Sequence, residues 1–212
     1  MRTIIISVLA SMLVASCTQN KESLFNGKNL DGWTIFVDDP AINPEDFFYV
    51  TDGMIETAGV PNGYLRTVKE YSDYRLHIEW RYPDDPTNSG IFLHTSGPDV
   101  IWPAHYQGQL KYENAGDFIV HGVGVKATLG DSTYVSSDTL KPIIPKLHPT
   151  NETPAGEWNS YDITCMGSTI ELNVNGLLQN TATNCSLTKG AIGLQAEGSR
   201  IQFRNLWIEH LK

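Results

Sequence analysis

The first thing this chain of 212 residues lacks is a membrane span: beyond its N-terminal segment, no apolar run reaches the roughly 18–20 residues needed. Helical rhythm is also missing. No apolar repeat at i, i+3, i+4 persists for three turns, and strands do not alternate with helices, which argues against bundles and parallel α/β folds. Basic residues are few. There are 15 Lys and Arg against 24 Asp and Glu, giving a net charge of −9 and a pI near 5.0. A nucleic-acid binder would show a basic face, so that class is excluded. No G-x-S-x-G elbow is present, so Ser-His-Asp catalysis has no support. His94, His105 and His121 stand apart, with no H-x-H or HExxH pattern, so no catalytic metal site is expected.

What is present describes an exported, folded chain. Hydrophobic residues are 41% and charged residues 18%, too apolar for disorder. Arg2 supplies a short positive region and Ile4–Ala10 an apolar one, and small residues follow at Ala15 and Ser16, the layout of an export signal over residues 1–16. Val14-Ala15-Ser16-Cys17 resembles a bacterial lipobox, in which the Cys17 thiol is acylated and becomes the mature N-terminus. Two or three acyl chains anchor durably where one does not. The alternative is a plain signal peptide with an incidental Cys. The lipobox reading makes the protein an exported lipoprotein, periplasmic or at the cell surface, touching the membrane through its lipid only. Residues 17–23 read as a polar tether and residues 24–212 as one domain of ordinary size.

Within that domain apolar residues alternate with period two. Tyr74, Leu76, Ile78, Trp80 and Tyr82 fall on one face, and Arg75, His77, Glu79 and Arg81 on the other, as in a half-buried strand. Residues 161–165 and 169–174 repeat the pattern, then meet Asn175-Gly176, a type I′ hairpin signal. Residues 191–197 and 201–204 add further strands. Pro44–Phe48 has the make-up of one short helical turn. With 18 Gly and 11 Pro, the pattern predicts an all-β sandwich of two antiparallel sheets. Residues 83–88 and 137–157 read as long surface loops. Cys165 and Cys185 either pair, which an oxidising compartment permits and which would stabilise by about 3 kcal/mol, or remain as two buried thiols.

Strand parity also groups polar residues. Phe92 and His94 share one face, as do Gln107, Gln109 and Lys111, and again Gly193, Gln195 and Glu197. A curved sheet gathering them into one concave surface, with Trp102 at its rim, would suit a sugar. Hydroxyls need donors and acceptors, and sugar C–H faces pack on rings.

The opening Leu24-Phe25-Asn26-Gly27-Lys28-Asn29-Leu30-Asp31-Gly32-Trp33 resembles the start of the 3-keto-disaccharide hydrolase domain family. Asn88-Ser89-Gly90-Ile91, Gly156-Glu157-Trp158-Asn159, Gly190–Gln195 and Phe203-Arg204-Asn205-Leu206 resemble its internal and closing motifs, in order, across residues 24–211. The resemblance implies a concanavalin-A-like jelly roll with a concave sugar site, and cleavage of glycosides oxidised at carbon 3. The family's E-x-Q on a central strand falls on Gln107-Gly108-Gln109 here, and His94 stands near its usual Arg. Either the catalytic group has moved or this member binds without cleaving.

A ketone at carbon 3 acidifies the carbon-2 proton, so the bond from carbon 1 to the glycosidic oxygen can break by elimination, followed by addition of water. This needs a general base, a donor for the enolate oxygen and an acid for the leaving group. His94 and Glu197 are the catalytic candidates. Phe92, Trp102, Gln107, Gln109, Lys111 and Gln195 are the substrate-binding candidates. A two-carboxylate glycosidase drawing on Glu113, Asp117 and Glu197 is a second enzyme reading, and a non-catalytic carbohydrate-binding lipoprotein is the reading from another class. No cofactor is implied; a structural calcium could occupy acidic loops such as Asp38-Asp39 or Asp84-Asp85.

Overall fold

The computed structural model describes residues 20–212; the signal segment and Cys17 lie outside them. In chain order its elements are β1 (Lys21–Ser23), β2 (Trp33–Val37), α1 (Pro44–Phe47), β3 (Phe48–Thr51), β4 (Met54–Thr57), β5 (Gly63–Thr67), β6 (Tyr74–Arg81), β7 (Gly90–Ser96) and β8 (Ala104–Gln109). There follow β9 (Phe118–His121), β10 (Lys126–Leu129), β11 (Ser132–Val135), β12 (Ile143–Ile144), β13 (Asn159–Met166), β14 (Thr169–Val174), β15 (Leu177–Ala182), β16 (Ala191–Ala196) and β17 (Ile201–His210).

The fold is a jelly-roll sandwich. One sheet of eight strands runs β15-β14-β13-β6-β17-β4-β3, with β1 also paired to β17. The other, of seven strands, runs β12-β9-β8-β7-β16-β5-β2. The ladders of both sheets are antiparallel. Asn175 and Gly176 both take positive φ, 46° and 79°, as the type I′ turn joining β14 to β15 requires. Lys21–Ser23 do not belong to a tether. They pair with Trp207–Glu209 of β17, and the Glu22 carboxylate receives Lys69 Nζ at 2.9 Å, while His210 Nε2 lies 2.8 Å from it. Part of the 137–157 stretch is likewise strand, since β12 adds an edge to β9.

Period two builds the core. Tyr74, Leu76, Ile78 and Trp80 of β6 meet Leu65, Ile91, Leu93, Tyr106, Phe118 and Leu194 of the second sheet in one buried cluster. Most of the eight-stranded sheet turns a wetter face outward, as the alternating burial of β6, β13 and β14 records. The second sheet does not. In β7, β8, β9 and β16 nearly every residue is buried on both faces. A sheet face hidden without being core is covered by something else, and here loops roll over it to form a cleft.

Sheet separation is tight where β8 crosses β13. A Cβ added to Gly108 would lie 2.9 Å from Tyr161 Cε1 and from its hydroxyl oxygen, inside van der Waals contact. Gly108→Ala is therefore expected to destabilise the protein by about 1–3 kcal/mol, read as a lower urea midpoint with an unchanged slope.

Candidate active site

Register aligns the outer face of the seven-stranded sheet into rows. Arg66 of β5 is paired with Gly193 of β16, Gly193 with Phe92 of β7, Phe92 with Gln107 of β8, Gln107 with Ile119 of β9, and Ile119 with Ile143 of β12. One row over, Phe36 pairs with Tyr64 and Tyr64 with Gln195, while Gly90 pairs with Gln109. On the other side His105 pairs with His121. The two glycines matter through what they leave open. A Cβ at Gly193 would come within 3.1 Å of the Phe92 ring, and the Gln107 carboxamide occupies the place where a Gly90 side chain would start. Large side chains can therefore lie flat on this face.

They form a continuous floor. Phe36 stacks on Tyr64 at 5.2 Å, and Tyr64 tilts against Phe92 at 5.7 Å. Phe92 stacks on His105 at 3.8 Å, and His105 on His121 at 4.4 Å. Trp102 stands edge-on to Phe92 at 6.1 Å and forms one wall. Above the floor is a cleft of about 240 Å³ lined by Asn88, Trp102, Gln107, Gln109, Ile119, His121, Lys141, Ile143, Gln195 and Glu197.

A chain of amides crosses this cleft with its polarity fixed at both ends. Gln109 Oε1 accepts the backbone N–H groups of Leu110 and Lys111, at 3.0 and 3.1 Å, so that oxygen is pinned. Gln107 must then present nitrogen, and its Nε2 donates to Gln109 Oε1 and to Gln195 Oε1, both at 3.2 Å. Gln195 in turn donates from Nε2 to Glu197 Oε2 at 2.7 Å. Amide orientation is assigned from the network in this way.

Burial raises the Glu197 pKa, opposed by the Lys141 ammonium. Burial and then Lys141 pull His121 down to about 4. His105 lies well below the usual histidine value, first through burial and then through His121. Its Nδ1 lies 2.7 Å from the Pro103 carbonyl; a carbonyl only accepts, so Nδ1 carries the proton. At neutral pH both imidazoles are uncharged. Among the described residues, Glu197 is the one carboxylate lining the cleft.

The sequence matches the 3-keto-alpha-glucoside-1,2-lyase-like domain family over residues 20–209. The chain belongs to this family. Two solved structures of candidate glycosyl hydrolases from Parabacteroides distasonis are similar to it. They are 22% and 24% identical, with TM-scores of 0.66 and 0.65; 91% and 90% of this chain are covered, and 94% and 99% of theirs. A Bacillus licheniformis β-glucanase is 15% identical with a TM-score of 0.58, over 90% of this chain and 96% of its own. The carbohydrate binding module CBM66 from Bacillus subtilis is 12% identical with a TM-score of 0.57, over 84% and 95%. At such identities these likenesses concern the fold. No curated protein matches the sequence.

The family motifs have structural roles here. Asn88 bridges to Glu197 across the cleft end, Ser89 Oγ donates to the Gln195 carbonyl at 2.7 Å, and Gly90 makes room for Gln107. Of the expected site residues, Trp102, Gln107, Gln109, Gln195 and Glu197 come together in the cleft. Phe92 is fully buried and lies in the floor rather than lining the opening. His94 does not join them. A register shift between Leu93 and Ser96 and a φ of 53° turn it out of the alternation. It is fully buried, edge-on to Tyr74 of the opposite sheet, with Nδ1 3.0 Å from the Leu187 carbonyl. Lys111 follows the end of β8 and is exposed; its backbone N–H, not its ammonium, serves the cleft. Glu113 and Asp117 lie elsewhere, Asp117 Oδ1 accepting the Lys146 backbone N–H at 2.9 Å, so among the described residues no second carboxylate joins Glu197. Cys165 and Cys185 are buried free thiols and not a disulfide. Asp84 is engaged by Arg200 and Asp39 by the Ala41 N–H, and no three His, Cys, Asp or Glu gather among the described residues.

Asn88, His121 and Lys141 were not singled out for this cleft from the sequence. His121 ends the apolar run of β9, where parity with Ile119 was a usable signal. Lys141 comes from an aperiodic Pro-rich stretch that gives none.

The fixed polarity explains how Gln can stand at 107. A carboxylate there would face the pinned oxygen of Gln109. In Gln107→Glu the new carboxyl is thus held protonated, with a folded pKa above its unfolded value of about 4.3. Its penalty is absent below that value and grows as pH rises through the folded one. The variant should match wild type near pH 4 and lose about 1–3 kcal/mol near neutrality, by urea unfolding at the two pH values; equal loss at both would refute the assignment.

Proposed function

We propose that this carbohydrate-active domain cleaves glycosides carrying a ketone at carbon 3, by elimination, with Glu197 as the general base. The observation that carries the reading is a half-buried carboxylate, the one among the described residues that lines this cleft, set beside amides, a neutral imidazole, an indole, two isoleucines and one ammonium. Hydrolysis by the usual carboxylate pair needs two such groups; elimination next to a ketone needs one base.

The electrons move as follows. Glu197 takes the carbon-2 proton, and the C–H pair passes into the enolate on the carbon-3 oxygen. The pair then forms the bond between carbons 1 and 2 as the bond from carbon 1 to the glycosidic oxygen breaks, and the ketone returns. The leaving oxygen takes a proton, from the protonated Glu197 or from water. Lys141, the cation in the cleft lining, would stabilise the enolate. His121, with a pKa of about 4, is a weaker base at neutral pH than a carboxylate whose pKa burial raises, so Brønsted behaviour favours Glu197.

Glu197→Gln is expected to lower kcat by about 10²–10⁴-fold while sugar binding persists, measured by aglycone release from a 3-keto-glucoside. In wild type, kcat/KM should rise with pH through a value above the ordinary carboxylate pKa, because the base must be ionised. Full activity in the variant would overturn the assignment. One observation favours a binding role instead: the amide at Gln107, where the resemblance of the sequence motifs implies a carboxylate. Wild type that binds the sugar and never releases aglycone would establish that reading.

The lipobox-like segment supports export and anchoring through Cys17. Metabolic labelling with a fatty-acid analogue should mark the wild type and not Cys17→Ala; equal labelling would refute it.

A further inference from the structure

The wall of the cleft has its own fastening, outside the amide chain. Residues 97–103 connect β7 to β8 and carry Trp102. Among the described residues, none of the backbone–backbone hydrogen bonds outside the strands involves this segment, and Pro98 and Pro103 have no N–H to give. Side chains hold it instead. Asp99 Oδ1 accepts Arg66 Nε at 2.6 Å and the Tyr64 hydroxyl at 2.9 Å, and Asp99 Oδ2 accepts a second Arg66 nitrogen at 2.7 Å. Arg66 also donates to the Thr67 carbonyl at 3.3 Å, so the guanidinium is fixed to β5. The pair is bidentate and only partly exposed, 26% for Arg66 and 32% for Asp99. That is the geometry in which an ion pair contributes more than an exposed one does.

Both anchors belong to the face that builds the site. Tyr64 is fully buried, stacks on Phe36 and tilts against Phe92. Trp102 stands on the same Phe92. The loop is thus tied at Asp99 to one ring of the floor and rests through Trp102 on the next.

We propose that Asp99 is a positioning residue for substrate: with Arg66 and Tyr64 it clamps the 97–103 loop so that Trp102 forms the apolar wall against which a sugar ring packs. This rests on reading the cleft as a sugar site. Asp99 touches no reacting atom. Its loss lets the wall move, which weakens binding of substrate and transition state alike and raises KM with kcat kept.

Two measurements test it. Hydrogen exchange across residues 97–103 should speed in Asp99→Asn, while strands of the eight-stranded sheet stay as protected as in wild type. With a 3-keto-glucoside, KM should rise about 5- to 50-fold, the range of a lost ring contact or buried hydrogen bond, and Asp99→Glu should recover part of it. In a Trp102→Ala background, Asp99→Asn should raise KM no further, because both changes remove the same wall. Unchanged exchange in the loop would overturn the clamp. Faster exchange with unchanged KM, or effects that add in the double variant, would overturn the role assigned to Trp102. A wild type that releases no aglycone would sink the elimination reading alone, and the exchange result still decides the clamp.

Discussion

Two backbone N–H groups, those of Leu110 and Lys111, set the polarity of the whole cleft. By pinning Gln109 Oε1 they force Gln107 to offer nitrogen, which turns the Gln195 oxygen inward and its nitrogen toward Glu197. The carboxylate is thereby held in place by a donor that does not carry charge. A charged partner such as Arg would lower the Glu197 pKa and make it a poorer base. An amide orients it and leaves burial free to raise that pKa. The chemistry of the site thus depends on where β8 ends: there the Leu110 N–H is shared between the Ser89 carbonyl and Gln109 Oε1, and the Lys111 N–H turns to the same oxygen.

The sandwich supplies what the chain of amides cannot. Core residues of β7, β8 and β16 fix the strands from within, and glycines at 90 and 193 let Gln107 and Phe92 lie flat on the outer face. The result is a polar line and an aromatic row side by side, a combination that suits a ring with hydroxyls at its edge and C–H groups on its face. The covering loops bring Trp102 and Lys141 and the edge strand β12 brings Ile143, so the site is shared between a rigid sheet and segments that side chains must fasten.

Much of the fold was legible because period two reports burial directly. The faces of β6, β13 and β14 and the two-sheet sandwich follow from it, the hairpin from Asn175-Gly176 and the jelly-roll class from the resemblance of the motifs, and parity placed Gln107, Gln109, Gln195 and Glu197 together. His94 shows the limit of parity. One bulge between Leu93 and Ser96 reverses the face of everything after it, and no local residue pattern announces a bulge. Lys111 fails for a related reason: alternation was carried past the end of β8 into a turn. Glu22 and Lys141 were illegible on other grounds. Their positions are set by contacts with residues far away in sequence, such as Lys69 and His210 for Glu22, which no periodicity encodes.

The central claim is that one carboxylate removes the carbon-2 proton before the glycosidic bond breaks. Following aglycone release from a 3-keto-glucoside deuterated at carbon 2 tests it most directly. Release is expected to be slower with deuterium at carbon 2 than with deuterium at carbon 1, and the first product to be unsaturated between carbons 1 and 2. Equal rates for the two labelled substrates, with oxygen from labelled water already on carbon 1 of the first product, would contradict it.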